Sequence, residues 1–336
     1  MSVRIGLVGV TGALGRELLA TLAEVAREEV VDLAPPVLLA TSRSAGETFG
    51  WLDEDDELVV EAFSAEAVRG LSYAIVAVPE AASAEVCATL ARQGVAVVDA
   101  SRAHRSRAPL FFEARAPALG GVSLVSLPSS EALLLARIVQ ALEPFAPAWV
   151  RGELLAPASA AGQAGVSELA EATGRLLNGN EPETPKLPHR LAFNVIPQLG
   201  PFTGERTQAE LDAARELPLL TGRTGLPAAL TVGLGPWFYG HHATVTVGLG
   251  RPVALDELRA AFHAAERVKV LDTQEENVYP MPSLATGDEA VLVGRLRVDP
   301  IDPHAVQLVA AMDGVRGAAV LAADALAALV RARESH

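Results

Sequence analysis

The first third of the chain alternates short apolar runs with segments whose apolar residues recur at helical spacing. The predicted strands, which are the buried apolar runs, are Arg4–Val10, Pro36–Ala40, Tyr73–Val78 and Val95–Asp99. Helices are predicted over Gly15–Arg27 and Ala82–Gln93. Strands that alternate with helices form βαβ units around a parallel sheet. The acidic stretch Trp51–Glu57 is predicted to be an exposed excursion.

From Ser130 onward the alternation is less regular, and the pattern indicates a second domain of mixed α and β structure. The predicted helices are Glu131–Leu142, Val166–Leu177 and Ala254–Glu266. The predicted strands are Trp149–Leu155, Ala243–Val247 and Ala290–Val298, and the middle one alternates as if one face were wet. Asn178–Pro188 is predicted to be a loop, and His304–Arg333 a strand, a turn and a helix that returns to the first domain.

Composition narrows the class of protein. Half of the 336 residues are hydrophobic and a fifth are charged, as in globular proteins. The net charge of −14 argues against nucleic acid or an anionic membrane as a partner. We find no signal peptide and no apolar run of about 20 residues that could span a membrane. The single cysteine, Cys87, excludes an intrachain disulfide, so we expect a cytoplasmic protein.

A glycine-rich turn follows the first predicted strand and opens the first helix. It reads Gly9-Val-Thr-Gly12-Ala-Leu-Gly15. Glycines there allow a tight turn and close approach of the backbone to a pyrophosphate, and the helix N-terminus supplies N–H donors. The turn predicts a Rossmann-type domain in which a dinucleotide contacts Gly9, Thr11, Gly12, Ala13, Leu14 and Gly15. The alternative is a glycine-rich turn in an α/β domain that binds no nucleotide.

The residues after the second predicted strand indicate which dinucleotide is bound. A site specific for NAD usually has an acidic residue there, which holds the ribose hydroxyls. This chain has Ser42, Arg43 and Ser44 instead. A guanidinium and small hydroxyls suit a 2′-phosphate, so NADP is favoured over NAD. The alternative is that Arg43 is a solvated cation of the loop.

Ordered segments along nearly the whole chain resemble the aspartate-semialdehyde dehydrogenase family. The segments that carry this resemblance are Gly9–Gly15, Ser42–Gly46, Val97–Arg105, Ala192–Gln198, Trp237–His241, Tyr279–Pro282 with Asp288–Arg295, and Asp313–Ala319. Several such segments in order are far more specific than one glycine turn.

The resemblance implies a fold, a reaction and an assembly. It implies an α/β chain with an NADP-binding Rossmann-type domain, residues 1–128 plus 316–336, and an α+β catalytic and dimerisation domain, residues 129–315. The implied reaction is reductive dephosphorylation of aspartyl phosphate by NADPH, or its reverse, through a cysteine thioester. The implied assembly is a homodimer that forms through the second domain.

The chain departs from the family where the chemistry takes place. The position of the nucleophilic cysteine carries Ser130, in the turn Pro128-Ser-Ser-Glu131. The other departures are Ala156 for a glutamine, Leu234 for the arginine that binds the substrate carboxylate, Asp212 near a lysine, and Gly314 for an asparagine. The family's histidine and one of its arginines are kept as His241 and Arg105.

These losses favour a non-catalytic or very weakly active member of the family, similar to the Usg-type paralogues that lack the cysteine. Serine needs a dedicated base, and an oxygen ester is a poorer acyl donor to phosphate than a thioester. Such a protein would keep the dinucleotide-binding fold and bind a small metabolite or a partner. One alternative is an active NADP-dependent aspartate-semialdehyde dehydrogenase with a rearranged site. Another is a serine hydrolase that uses Ser130 and His241.

Several single residues have two possible roles. Ser130 caps the helix Glu131–Leu142 or acts as a nucleophile, and His241 is a remnant or a working base. Arg105 binds phosphate or a carboxylate, or pairs with an acidic neighbour. Cys87 is predicted to be a small buried side chain. The histidines have no recognisable metal spacing, so no metal is predicted.

Overall fold

A computed structural model describes residues 3–29, 32–52 and 56–334 of the chain. The chain divides into two compact units. The first comprises the residues up to Pro128 and those from Ala318 on, and the second comprises Ser129–Gly317. Among the described residues, no helix is both long enough and apolar enough to cross a membrane.

The first unit is built on a parallel six-stranded sheet. The strands of this unit are β1 Ile5–Val8, β2 Val37–Ala40, β3 Thr48–Gly50, β4 Glu57–Val59, β5 Glu61–Ala62, β6 Tyr73–Val76, β7 Ala96–Asp99 and β8 Leu124–Ser126. Strands β3 and β4 form a small separate hairpin. The order in the main sheet is β5-β2-β1-β6-β7-β8, and all five pairings are parallel. The predicted parallel sheet is confirmed.

The helices of the first unit follow the predicted spacing. They are α1 Ala13–Arg27 and α2 Glu80–Arg92. Helix α1 buries Leu18 and Leu22 completely because apolar residues at this spacing share one face. Residues 318–334, which form most of the last helix of the chain, also belong to this unit.

The hairpin β3–β4 corrects the prediction for Trp51–Glu57. Trp51 is only 5% exposed, so the start of this stretch is not an exposed excursion. The hairpin lies against α1, where the Arg27 guanidinium donates to the carbonyl of Leu52 at 2.7 Å. The acidic residues of this stretch suggested exposure, but the large apolar indole of Trp51 is more stable when it is buried. Positions 53–55 lie outside the described residues.

The second unit contains a mixed six-stranded sheet covered by helices. Its strands, including a small hairpin of the second and third, are β9 Pro147–Ala156, β10 Phe202–Thr203, β11 Arg206–Thr207, β12 Ala228–Leu234, β13 His241–Leu249, β14 Val268–Val270, β15 Val291–Val298 and β16 Ala305–Met312. The helices, with the last helix of the chain included, are α3 Ser130–Ala141, α4 Gly162–Leu177, α5 Gln208–Thr221, α6 Leu255–Ala264, α7 Pro282–Ala285 and α8 Gly314–Glu334. The sheet order is β12-β9-β13-β16-β15-β14.

Strand β13 confirms the predicted two-faced pattern. Val245 and Val247 are fully buried, whereas Thr244 is exposed. Successive side chains of a strand point to opposite faces, so the odd-numbered positions form the inner face. His241 begins this strand on that inner face and is 5% exposed.

The residue pattern alone does not predict helix α5. It buries Glu210, Asp212 and Glu216, which hide the usual apolar stripe. The signal that does mark its start is a capping box: the Thr207 hydroxyl accepts from the Glu210 amide, and the Glu210 carboxylate accepts from the Thr207 amide.

Candidate functional site

The glycine turn of the first unit has the geometry that the sequence predicts. Gly9 has φ +96°, and a Cβ there would collide with the carbonyl of Ala77. A Cβ on Gly15 would collide with the carbonyl of Gly9, so helix α1 packs closer to β1 than any larger residue would allow. At Gly12 a Cβ would meet only an ordinary contact at 3.5 Å. The two outer glycines therefore form a backbone cradle that suits a pyrophosphate.

The turn with Ser42, Arg43 and Ser44 follows the carboxyl end of β2, the neighbour of β1 in the sheet. The Ser44 amide donates to the carbonyl of Thr41 at 3.0 Å, and the Arg43 side chain is exposed. Gly9 donates to the carbonyl of Leu39 at 2.7 Å, which ties the glycine turn to β2. Both predicted cofactor segments thus lie at the carboxyl ends of neighbouring strands, β1 and β2.

A buried carboxylate at the end of β7 organises the segment that contains Arg105. Asp99 is fully buried and accepts hydrogen bonds from Ser83 Oγ, the Ser101 amide and hydroxyl, and His104 Nδ1, the last at 2.6 Å. Arg105 is half-buried, and its Nε donates to the carbonyl of Leu127 at 2.9 Å. This partner is a backbone carbonyl, whereas the alternative reading expected an acidic neighbour.

Cys87 lies near this network. It is 2% exposed, which agrees with the predicted small buried side chain, and burial raises the pKa of its thiol to about 11. Its sulfur lies within 4.8 Å of a ligand atom of Asp99 and of His104. Sequence reasoning missed this group because it compared only histidines. The four hydrogen bonds described above already occupy the Asp99 carboxylate.

Helix α3 corrects the predicted cap. The helix begins at Ser130, and Ser129 is the N-cap, since its extended backbone lets its hydroxyl accept from the Ala132 amide at 3.2 Å. Ser130 therefore occupies the first helical position and does not cap the helix. It is half-buried and lies at the N-terminal end of α3.

Acidic side chains surround this helix N-terminus. Glu216 is fully buried and accepts from the Ser129 amide at 2.7 Å and from the Ser129 hydroxyl at 2.8 Å. Arg215 bridges Glu216 and the buried Asp212, with N–O distances of 3.3 and 3.1 Å. One cation thus faces two carboxylates beside the N-terminus of α3.

His241 brings a third carboxylate to the site. Its Nε2 lies 3.5 Å from Oε1 of Glu131, the residue after Ser130, and both side chains are buried. Its Nδ1 is buried and, within the described residues, has no hydrogen-bond partner. Sequence reasoning missed Glu131, although a carboxylate directly after the candidate nucleophile was the available signal.

Gly314 explains how His241 and Ser130 come together. A Cβ at this position would lie 2.5 Å from Cε1 and 2.8 Å from Nδ1 of His241, and 2.7 Å from the hydroxyl of Ser130. The imidazole and the hydroxyl thus occupy the space that a side chain at 314 would need. The structure places the two predicted catalytic residues, Ser130 and His241, on either side of Gly314, and no hydrogen bond joins the Ser130 hydroxyl to His241 Nδ1.

The sheet register places two positions that depart from the family resemblance, Ala156 and Leu234, in one row with His241, with Ala156 in the middle. Leu234 on β12 pairs with Ala156 on β9, and Leu155 pairs with His242 on β13, so Ala156 lies beside His241. Opposed residues share a face of a sheet, and the three side chains therefore form one row. Ala156 and Leu234 are 0% and 2% exposed and belong to one hydrophobic cluster with Ile196.

Comparison with known proteins agrees with this geometry. Residues 4–140 match the family model of the semialdehyde dehydrogenase NAD binding domain, and residues 135–317 match that of the semialdehyde dehydrogenase dimerisation domain. By its fold the protein is an α/β protein with two parts: a parallel sheet of the dinucleotide-binding type, and a second unit built on a mixed sheet. The chain belongs to the aspartate-semialdehyde dehydrogenase family.

Named relatives cover the whole chain. It is 27% identical to the aspartate-semialdehyde dehydrogenase of Synechocystis sp., across 98% of this chain and 97% of that protein. It is 29% identical to a USG-1 protein homolog of Pseudomonas aeruginosa, across 97% of both chains. The crystal structure of aspartate semialdehyde dehydrogenase II from Vibrio cholerae, complexed with ASA, matches with a TM-score of 0.88 at 25% identity, covering 98% of this chain and 99% of that one.

Proposed function

We propose that this protein is a non-catalytic or very weakly active member of the aspartate-semialdehyde dehydrogenase family, which keeps the dinucleotide-binding fold and dimerises through its second unit. The observation that carries the proposal is the row Leu234–Ala156–His241 beside Ser130. The resemblance implies an arginine and a glutamine at the first two positions of that row, and a cysteine in place of Ser130.

The apolar row supports this proposal because it offers no partner for a substrate carboxylate. Leu234 and Ala156 pack with Ile196 in a buried cluster, and a carboxylate desolvated there would have no hydrogen-bond donor from either side chain. An arginine clamp would supply two charge-assisted hydrogen bonds. The loss therefore removes both affinity and orientation of the substrate.

The electrostatics of the α3 N-terminus support it as well. Glu131, Glu216 and Asp212 are buried around it, and Arg215 is the cation paired with the last two. The lysine that the resemblance implies near position 212 is replaced by one of them.

The first unit supports retention of the cofactor. The cradle at Gly9 and Gly15 would be filled by any Cβ, and Ser42, Arg43 and Ser44 lie at the same sheet edge. These residues would hold NADP, which supplies a hydride acceptor when it is bound. The dinucleotide contacts would also involve the turn residues Thr11, Gly12, Ala13 and Leu14.

The proposal is tested by NADPH formation from NADP, phosphate and aspartate semialdehyde at high protein concentration. We expect no turnover from the wild type or from Ser130→Cys, because Ala156 and Leu234 remain. The triple variant Ser130→Cys/Ala156→Gln/Leu234→Arg is measured in parallel to test those positions. Clear turnover by the wild type would overturn the proposal and favour an active enzyme with a rearranged site.

Binding and assembly are measured separately on the same protein. Calorimetric titration is expected to show tighter binding of NADP than of NAD, and Arg43→Ala is expected to reduce that preference. Light scattering is expected to give the mass of a homodimer. A monomer, or equal affinity for the two nucleotides, would contradict these parts of the proposal.

A further inference from the structure

Arg16 is a cation of the first unit that neither the glycine motif nor the family resemblance explains. It directly follows Gly15 near the start of α1, and its side chain is exposed. Within residues 3–29, 32–52 and 56–334, no carboxylate forms an ion pair with it; its guanidinium has two other partners, the carbonyl of Thr11 and the ring of Phe49. These two contacts fix where the charge lies.

The first contact holds Arg16 against the glycine turn. Its Nε donates to the carbonyl of Thr11 at 3.3 Å. Helical side chains tilt toward the N-terminus of their helix, so the guanidinium extends back along α1 to this turn. The two terminal nitrogens make no hydrogen bond to any described residue, which leaves both N–H groups available to a ligand.

The second contact ties Arg16 to the hairpin β3–β4. Its Cζ lies 5.6 Å from the centroid of the Phe49 ring, a cation–π arrangement, and Phe49 is half-buried in β3. The hairpin continues directly from the turn with Ser44, where the Glu47 amide donates to the Ser44 carbonyl at 3.3 Å. Arg16 therefore bridges the two segments that are expected to hold the cofactor.

From these contacts we infer that Arg16, oriented by Phe49, is a second cation for the 2′-phosphate of NADP, in addition to Arg43. In dinucleotide-binding domains of this type, the adenosine ribose lies between the glycine turn and the end of the second strand. The two contacts of Arg16 lie on these same two sides. A guanidinium offers paired N–H donors that match a phosphate. The inference rests on the retention of the dinucleotide proposed above.

The start of α1 explains why the 2′-phosphate, and not the pyrophosphate, is the partner. Gly12 is the N-cap, no side chain caps the helix, and its first turn has no acidic residue. The free amides and the helix dipole at this end suit the pyrophosphate. The same dipole disfavours a cation there. Stacking on Phe49 draws the guanidinium toward the hairpin, where a second anionic group would offset this repulsion.

Arg16 differs from Arg43 in being held before the ligand binds. The Arg43 side chain is exposed and makes no hydrogen bond or ion pair with the described part of the chain. Arg16 is anchored at two points, so binding costs it less conformational entropy. We therefore expect Arg16 to contribute at least as much as Arg43 to the preference for NADP. Phe49 acts as a positioning residue.

The test is calorimetric titration of the full-length protein with NADP, NAD and adenosine 2′,5′-bisphosphate, which carries the 2′-phosphate but no pyrophosphate. Arg16→Ala is expected to weaken binding of NADP and of the bisphosphate about 10-fold each, the effect of losing one hydrogen bond to a charged group. Binding of NAD should change far less. Arg16→Gln, which keeps a long side chain without the charge, should give the same pattern. Phe49→Leu should give a smaller loss, again for the two 2′-phosphates only.

Arg27→Ala is the matched control. Arg27 is also an exposed cation of α1 that contacts the hairpin region, through the Leu52 carbonyl at 2.7 Å, but it lies about 16 Å further along the helix. Its removal should leave all three affinities unchanged. Thermal unfolding of each variant shows whether the fold is retained.

Three outcomes would contradict the inference, and they differ in what else they contradict. Unchanged NADP affinity in Arg16→Ala would make Arg16 a solvated cation and leave the proposed function intact. Equal losses for NADP and NAD would assign Arg16 to the pyrophosphate and overturn the 2′-phosphate assignment alone. A wild-type protein that binds neither dinucleotide would overturn the proposed retention of the cofactor, and this inference with it.

Discussion

The cap of helix α3 gives a sharp stability prediction, because two adjacent serines differ in what their hydroxyls do. The Ser129 hydroxyl accepts from the Ala132 amide at 3.2 Å and donates to the buried Glu216 carboxylate at 2.8 Å. The Ser130 hydroxyl makes no capping bond. We therefore expect Ser129→Ala to be much more destabilising than Ser130→Ala.

The magnitude follows from the bonds that are lost. Removing an N-cap costs about 1 kcal/mol. Removing a hydrogen bond to a charged group costs about 2 kcal/mol. Ser129→Ala should therefore cost about 3 kcal/mol, which lowers the Tm of a unit of this size by about 6–12 °C. Ser130→Ala should change the stability by no more than about 0.5 kcal/mol.

Tryptophan fluorescence isolates the unit concerned. In a Trp51→Phe background the two remaining tryptophans, Trp149 and Trp237, both lie in the second unit. Their fluorescence follows thermal unfolding of that unit in each variant. Ser129→Thr is the control and should retain most of the stability, since threonine also caps helices. An equal or larger loss of Tm for Ser130→Ala would refute the assignment of the cap.

Three further predictions concern other parts of the chain. Gly15→Ala should destabilise the first unit by about 2 kcal/mol and weaken NADP binding in titrations. Gly12→Ala should have only a mild effect, because its Cβ meets a single contact at 3.5 Å. Equal effects of the two substitutions would contradict the assignment of Gly9 and Gly15 as the backbone cradle. Cys87, with its pKa raised to about 11, should resist iodoacetamide at pH 8 until the protein is denatured, and stoichiometric alkylation of the folded protein would contradict this. Burial lowers the pKa of His242, so the unfolded state binds more protons than the folded state. The free energy of unfolding should therefore fall as pH drops below about 6.5. In His242→Gln this pH dependence, measured by denaturant unfolding, should be flatter, and an unchanged slope would contradict the prediction.

The fold was predictable because its elements have regular periodicity. The four-residue runs of β1, β6 and β7 are buried at every position, and β13 alternates between faces. Such patterns identify parallel and two-faced strands without tertiary information. Helix α5 escaped the pattern because several of its buried positions are acidic, and partners such as Ser129 for Glu216 and Val232 for Glu210 lie far away in the sequence.

The site was only partly predictable from sequence. Ser130 and His241 could be named from the motifs, but the choice of cap depends on the backbone angles of Ser129. The contact of Gly314 with both residues joins segments far apart in sequence. Glu131 stands next to Ser130, yet its proximity to His241 follows only from the placement of β13 beside α3.

The packing near His241 opposes single substitutions toward the residues that the family resemblance implies, so the loss of dehydrogenase activity that we propose would be hard to reverse. Leu234 and Ala156 are paired across β12 and β9 in one buried apolar cluster, so an arginine returned at 234 alone would place a charge beside an alanine. An unpaired buried charge costs several kcal/mol. A side chain returned at 314 alone would collide with the imidazole and with the Ser130 hydroxyl. Each single reversion is therefore opposed by the residues that remain, and reversal requires several positions to change together.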